Sequence, residues 1–109
     1  MKPKLYGVYT ARFPFLKSAD QKIRPVVIIS KPTGKYRVLT AVPITSKIDR
    51  DEFDFEIKGW AEAGLIKLSV IRVHRISTIL ESRLVAELGS LPAGDIKKLQ
   101  ESLCKFLCL

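Results

Sequence analysis

The first half of the chain contains two apolar runs, Ile23-Arg-Pro-Val-Val-Ile-Ile-Ser30 and Val38-Leu-Thr-Ala-Val-Pro-Ile-Thr-Ser46. Short runs rich in valine and isoleucine are typical of buried β-strands. Between them lies Lys31-Pro-Thr-Gly-Lys35, in which proline and glycine favour a turn. The pattern therefore predicts a β-hairpin, with Ile23–Ser30 as its first strand and Tyr36–Val42 as its second.

Polar side chains stand at one end of each run. Arg24 enters the first run, whereas Thr45 and Ser46 leave the second. If the runs pair, one guanidinium group and two hydroxyl groups meet at the rim of a small sheet. Such a rim suits a phosphate or a developing oxyanion, because these groups donate hydrogen bonds to negatively charged oxygens.

The rest of the chain predicts further short strands and one helix. Strand-like patterns occur at 5–12, 52–57, 69–73 and 75–80, while 83–88 is ambiguous. Pro92 opens a last segment whose apolar residues recur at helical spacing. The 109 residues fit a single domain spanning 1–109. We expect a mainly β (α+β) fold, a small and strongly bent antiparallel sheet or barrel capped by a C-terminal α-helix.

The net charge of +8 is concentrated in one half of the chain. Residues 1–50 hold 11 Lys and Arg against 2 Asp, a net charge of +9, whereas residues 51–109 hold 8 basic and 9 acidic residues. A basic half attracts polyanions such as nucleic acids. The alternative is a solvated surface that keeps the protein soluble. The acidic stretch at 49–56 is predicted to be a solvated strand face, or a surface that repels RNA.

Composition also bears on compartment and metal binding. No apolar stretch is long enough to span a bilayer, and no apolar run follows the basic start of the chain, so we expect a cytoplasmic protein. Cys104 and Cys108 are the two cysteines, and no histidine lies near them in sequence. Two thiols make an incomplete metal site. We therefore expect reduced, partly buried thiols and no metal or cofactor.

The order and spacing of several motifs resemble those of the MazF/PemK family of bacterial toxins, and the PemK-like branch most of all. Beyond the two runs, the motifs are Trp60-Ala-Glu-Ala-Gly-Leu65, Ser69-Val-Ile-Arg72, Ile76-Ser-Thr-Ile79 and Leu88-Gly-Ser-Leu91. The resemblance implies an SH3-like barrel with a C-terminal helix and a homodimer. It also implies a metal-independent endoribonuclease acting on single-stranded RNA, and a cognate antitoxin whose flexible tail covers the RNA site.

The resemblance assigns four candidate catalytic residues. RNA cleavage without a metal uses the 2′-hydroxyl as nucleophile, so the site must accept its proton, stabilise the phosphorane and assist the 5′-oxygen. Arg24 is the candidate for charge stabilisation, and Thr45 is a second donor to the same phosphate. Thr45 has an alternative role, since threonine hydroxyls readily bond nearby backbone in turns. Arg72 matches the position of the acid, where a hydrogen bond to the leaving oxygen is easier to accept than proton donation.

His74 occupies the position where the family usually carries an acidic residue, which is the proposed base. An imidazole, whose unperturbed pKa is about 6.5, can act as base or acid near neutral pH. Its sequence neighbours Arg72 and Arg75 favour the neutral form that accepts a proton. Two other interpretations stay open: a surface histidine without a role, and a copy with weak or no activity.

Five further residues are candidates for RNA binding. Aromatic and basic residues alternate in the predicted loop at 13–22, which suits stacked bases and phosphates, although Phe13 and Phe15 also fit a core role. The candidates are Phe15, Lys17, Lys22, Ser46 and Arg75.

Two other functions compete with that of a nuclease. The same barrel serves in the related CcdB toxins as a module that binds a protein target, and loss of the acidic position fits binding without cleavage. A nucleic-acid-binding regulator is supported by charge alone.

Overall fold

The computed structural model describes residues 2–13 and 22–109, and this part of the chain forms seven strands and one α-helix. The strands are β1 (Gly7–Arg12), β2 (Ile23–Ile28), β3 (Val38–Thr45), β4 (Phe55–Glu56), β5 (Val70–Ile71), β6 (Ser77–Leu80) and β7 (Leu84–Ser90), and the helix is α1 (Ala93–Leu107). The predicted mainly β fold with one C-terminal helix is confirmed.

The strands form one bent antiparallel sheet with the order β4-β5-β3-β2-β1-β7, and β6 also pairs with β3. The predicted β2–β3 hairpin is confirmed, with Val27 opposite Val42. Its second strand begins at Val38 rather than Tyr36, because Arg37 has a left-handed backbone (φ 53°) that belongs to the turn. Two register shifts between β1 and β7 add to the bend.

Strand β3 is the centre of the sheet because it changes partners along its length. Its first half pairs with β6 on one edge, and Ala41–Pro43 pair with β2 on the other edge. Its last residues, Ile44 and Thr45, pair with β5. Strands β5 and β6 therefore follow one another along the same edge of β3. A 3-10 turn at Val73–Arg75 separates them, so the two predicted extended segments are interrupted there.

Both faces of the hairpin are buried, which explains why its sequence is continuously apolar rather than alternating. Val27 and Val42 belong to a core on one face, whereas Val26, Ile28 and Ala41 belong to a core on the opposite face. Helix α1 covers the first of these cores. Its predicted apolar stripe is confirmed except at the last position. Leu99 is fully buried and Ile96, Leu103 and Phe106 pack against the same core, whereas Leu107 at the end of the helix is exposed.

A buried carboxylate fixes the start of α1. Pro92 precedes the first helical residue, and Asp95 lies in the first turn with 4% of its surface exposed. Its two oxygens accept hydrogen bonds from the backbone N–H groups of Lys58 and Gly59, each at 2.9 Å. These bonds tie the helix to the loop that follows β4.

Two predictions about local structure are wrong, and one segment that the sequence left open is settled. The strand predicted at 52–57 is limited to Phe55–Glu56, because 51–54 forms a turn in which Asp54 N–H donates to the carbonyl of Asp51. The ambiguous segment at 83–88 lies within β7 and its preceding turn. Cys104 and Cys108 are exposed, because they lie off the apolar stripe of α1. No helix in the described part of the chain has the length and apolar character needed to cross a membrane.

The backbone of the loop at 59–65 lies directly against the backbone of β7. Gly64 has φ +87°, and a Cβ there would lie 2.1 Å from the carbonyl oxygen of Leu88. We expect Gly64→Ala to lower the free energy of unfolding by about 1–3 kcal/mol through backbone strain and this clash.

Gly94 provides the matched control, because it lies in α1 and a Cβ there meets nothing within 4 Å. Gly94→Ala should raise the free energy of unfolding by about 0.5–1 kcal/mol, since alanine loses less conformational entropy than glycine in a helix. Urea unfolding of both variants measures the difference. Equal shifts in the two variants would contradict the packing described for Gly64.

Candidate functional site

A cleft of about 980 Å³ opens where β2 and β3 separate. Pairing between these strands ends at Val26 and Pro43, while the next residues of β3 pair with β5 on the opposite edge. The register, continued by two residues, sets Arg24 opposite Thr45, and both residues line the cleft. The cation and the hydroxyl that the sequence placed at the sheet rim therefore share one concave surface.

The cleft is mainly basic. Its lining includes six cationic side chains, Lys22, Arg24, Lys47, Lys67, Arg72 and Arg75. Two carboxylates, Asp49 and Asp51, also line it. An enclosed surface with this excess of positive charge attracts a polyanion and raises its rate of encounter.

The structure brings most of the sequence-predicted site residues together. Six of the nine line the cleft: Lys22, Arg24, Thr45, Ser46, Arg72 and Arg75. Phe15 and Lys17 fall outside the residues that the structure describes. His74 is described but is absent from the cleft lining. Phe13, which comes before Phe15 and Lys17 in the sequence, is buried in the second core with 1% of its surface exposed.

Thr45 has the turn-forming role that the sequence predicts as its alternative. Its Oγ1 accepts a hydrogen bond from the backbone N–H of Lys47 at 3.2 Å, which is the turn-forming role. A hydroxyl that accepts one hydrogen bond still has its own proton to donate. Thr45 is therefore oriented by the turn while its O–H stays able to donate within the cleft. Ser46 is exposed at the same turn.

A buried ion pair lies at one side of the cleft. Arg72 has 9% of its side chain exposed, and Asp54 has none. Arg72 Nη1 donates to Asp54 Oδ2 at 2.8 Å, and the backbone N–H of Asp51 donates to the same oxygen at 2.9 Å. Arg72 is also joined to β3, because its backbone N–H donates to the carbonyl of Pro43 at 3.0 Å. This pair fixes the acidic turn against the central strand.

Asp54 is the residue that sequence reasoning missed. The stretch at 49–56 was predicted to be a solvated strand face, which is wrong for Asp54 because its side chain is fully buried. The alternation Phe53-Asp54-Phe55 suggested a strand, whereas Asp54 closes a turn just before β4. The one sequence signal was Arg72 in an apolar segment, since a buried guanidinium requires a carboxylate partner.

His74 lies in the 3-10 turn between β5 and β6, and carboxylates face both of its ring nitrogens. Nε2 is 3.2 Å from Asp51 Oδ2, and Nδ1 is 3.4 Å from Asp54 Oδ1. The imidazole therefore lies between two carboxylates. The buried atoms His74 Nδ1 and Asp54 Oδ1 face each other without a well-formed hydrogen bond.

Within residues 2–13 and 22–109, the side chains grouped so that they could hold a cation are Asp51, Asp54 and His74. Donor atoms of Asp51, Asp54 and His74 lie within 4.8 Å of one another. Carboxylate and imidazole ligands suit divalent transition metals. However, the Arg72 guanidinium is bonded to Asp54 and lies 3.8 Å from Asp51 Oδ2, so positive charge is already supplied to both carboxylates.

The Arg72–Asp54 pair should be a major contributor to stability. Asp54→Ala leaves a nearly buried guanidinium without its hydrogen-bonded carboxylate, and we expect the free energy of unfolding to fall by about 3 kcal/mol. Asp49→Ala is the matched control, because Asp49 is 85% exposed and lies 3.8 Å from Arg72 Nη2. That change should cost less than about 1 kcal/mol. Denaturant unfolding of both variants tests this, and equal losses would contradict a dominant role for Asp54.

Several solved structures have a fold similar to that of this chain. Similar solved structures include the Mycobacterium tuberculosis toxin MazF-mt6 (22% identity, 94% of this chain and 97% of that chain covered, TM-score 0.72). MazF from Deinococcus radiodurans is similar at 20% identity (100% and 99% covered, TM-score 0.75). An endoribonuclease solved in complex with its cognate antitoxin from a mycobacterial species is similar at 18% identity (98% and 96% covered, TM-score 0.70). These likenesses show the fold.

Sequence comparison gives the family. No curated protein sequence matches the chain significantly. Residues 4–107, nearly the whole chain, match the family model described as PemK-like, MazF-like toxin of type II toxin-antitoxin system. The resemblance seen in the strand and loop motifs is thereby confirmed, and the chain belongs to the PemK-like, MazF-like family of toxins from type II toxin–antitoxin systems.

Proposed function

We propose that this toxin is a metal-independent, sequence-selective endoribonuclease that cleaves single-stranded RNA and so inhibits translation and growth. The observation that carries the proposal is the basic cleft in which Arg24 and Thr45 stand at neighbouring strand ends. A guanidinium and a hydroxyl on one concave surface suit a phosphodiester better than a neutral ligand.

Arg24 and Thr45 bind the scissile phosphate in this proposal. Arg24 is exposed at the start of β2, and its planar guanidinium can donate two hydrogen bonds to phosphate oxygens. Thr45 is oriented by its turn and donates its O–H to the same group. Fixed donors of this kind stabilise the negative charge that develops on the phosphorane.

Arg72 and His74 belong to the proton-transfer side of the site. Arg72 lines the cleft, and N–H groups that Asp54 does not use can donate a hydrogen bond to the departing 5′-oxygen. His74 is absent from the cleft lining but contacts Asp51, which lines the cleft. Its imidazole thus joins the group that handles the proton of the 2′-hydroxyl.

The remaining lining separates into charged and apolar parts. Lys22 and Arg75 hold neighbouring phosphates, and Ser46 adds a hydroxyl donor. Leu65 and Ile66 form an apolar part of the wall, and Ile66 is 91% exposed, as expected for a side chain that contacts an unstacked base. Phe15 and Lys17 complete the proposed RNA-binding set on the sequence argument alone.

The partners follow from the family. One similar solved structure is named an endoribonuclease in complex with its cognate antitoxin, which supports an antitoxin partner for this toxin. The homodimer and the cytoplasmic location are proposed from the family resemblance. The antitoxin is expected to carry acidic residues, since the cleft that it would cover is basic.

Incubation with RNA in EDTA tests the activity. The purified protein should cut a long single-stranded RNA into discrete fragments that end in 2′,3′-cyclic phosphate, because the 2′-hydroxyl is the nucleophile. The same RNA with 2′-deoxy sugars at the cut sites should stay intact there. RNA that remains uncut across many sequences, or cleavage that needs an added metal ion, would contradict the proposal.

Arg24 provides the sharpest test among the phosphate-binding residues. Arg24→Ala should lower kcat/KM for RNA cleavage by about 10²–10³-fold with little change in melting temperature, since the side chain is exposed. The matched control is Arg37→Ala, an exposed arginine at the hairpin turn that pairs with Glu81 and lies outside the cleft lining. It should retain the activity of the unmodified protein. Full growth inhibition by an Arg24→Ala protein would favour a toxin that binds a target without cleaving RNA.

A further inference from the structure

Asp51 is the carboxylate that faces the cleft from the proton-transfer side. Its side chain is 60% exposed and lines the cleft, while Oδ2 lies 3.2 Å from His74 Nε2 and 3.8 Å from Arg72 Nη1. Its backbone N–H is bonded to the buried Asp54 carboxylate. The side chain is therefore accessible to substrate, and one of its oxygens faces two cationic or proton-donating groups.

His74 is less well placed to meet substrate. Both of its ring nitrogens face carboxylates, and the residue is absent from the cleft lining. An imidazole whose nitrogens point at Asp51 and Asp54 has neither nitrogen directed at a ribose in the cleft. Its contact with Asp51 is instead suited to orienting that carboxylate.

The neighbouring carboxylates are poorer candidates for proton acceptance. Asp54 has no exposed side-chain surface and its Oδ2 is committed to Arg72. Asp49 lines the cleft, but its side chain is 85% exposed and its contact with Arg72 Nη2 is 3.8 Å long. A base that is both accessible and oriented is favoured in catalysis, because it need not be repositioned during the reaction. Among these three residues only Asp51 combines the two properties.

We infer that Asp51 is the catalytic residue that takes the proton of the 2′-hydroxyl, and that His74 is a positioning residue for it. The inference rests on the proposed endoribonuclease function and deepens it. The proton moves from O2′ to Asp51 Oδ1 as the O2′–P bond forms and the P–O5′ bond breaks. The 5′-oxygen takes a proton from water, and Asp51 then releases its proton to solvent. The Asp51 carboxylate thus takes the role of the acidic side chain that the family usually carries at the position of His74.

Charged groups from three parts of the fold surround Asp51: the end of β5, the 3-10 turn and the acidic turn. Arg72 approaches from the end of β5, His74 from the 3-10 turn, and Asp54 from the same acidic turn as Asp51 itself. Asp49 reaches the group through Arg72. Substitution of Asp51 removes one negative charge from a cleft that binds a polyanion, so loss of catalysis need not weaken RNA binding.

The first test separates catalysis from binding. Asp51→Asn should lower kcat for RNA cleavage in EDTA by about 10²–10⁴-fold, the usual range for removing a general base. Its Kd for a 2′-deoxy substitute of the substrate should be equal to or lower than that of the unmodified protein, which also shows that the variant is folded. Glu52→Gln is the matched control, because Glu52 is an exposed acid in the same segment outside the cleft lining. It should keep full kcat.

The second test distinguishes the carboxylate from the imidazole by pH profile. His74→Gln keeps an N–H donor toward Asp51 but removes the titrating ring. The fall of kcat/KM toward acid pH should persist in His74→Gln, because the carboxylate still becomes protonated there, and should be lost from the residual activity of Asp51→Asn.

Four outcomes would overturn parts of this account and can be told apart. An Asp51→Asn protein that cleaves within tenfold of the unmodified rate overturns the assignment of Asp51. A profile that loses its acid limb in His74→Gln but keeps it in Asp51→Asn assigns the base to the imidazole instead. Failure of the unmodified protein to cleave RNA overturns the proposed function itself, and dependence on added Mn²⁺ would turn the cluster of Asp51, Asp54 and His74 into a metal site.

Discussion

The ion pair between Arg72 and Asp54 is the constraint on which the site depends. It is nearly closed to solvent, and its guanidinium belongs to a residue whose backbone is bonded to Pro43 of the central strand. Asp54 in turn accepts a hydrogen bond from the backbone of Asp51. One buried carboxylate thereby joins the acidic turn, the end of β5 and the middle of β3. Because a buried charge without its partner is costly, this arrangement resists alternative placements of the turn.

The position of the cleft follows from where the pairing between β2 and β3 ends. That pairing ends at Pro43, while Ile44 and Thr45 pair with β5 on the opposite edge of β3, so the ends of β2 and β3 open on one side of the sheet. Arg24 and Thr45 lie at those ends, and Arg72 lies at the end of β5. The sheet thus holds the candidate side chains on three strand ends, and the acidic turn and the 3-10 turn add Asp51 and Arg75 to the lining.

The sequence predicted best those features that arise from local pattern. The hairpin and the helical stripe of α1 follow from periodicity. Arg24 and Thr45 share the cleft because hairpin register is set by neighbouring strands. The positions of Asp54 and His74 depend on a turn and on a 3-10 interruption, for which period-two alternation carries no information. The pairing of Asp54 with Arg72 joins residues 18 apart in sequence, which a pattern within either segment cannot reveal.

The most direct measurement is a crystal structure of the toxin with a single-stranded RNA that carries a 2′-deoxy sugar at the cut site. The account predicts the scissile phosphate within hydrogen-bonding distance of the Arg24 guanidinium and Thr45 Oγ1, with the C2′ atom of the deoxy sugar facing the Asp51 carboxylate. RNA bound on another surface, or a C2′ atom turned toward the opposite wall with Asp51 away from it, would contradict it.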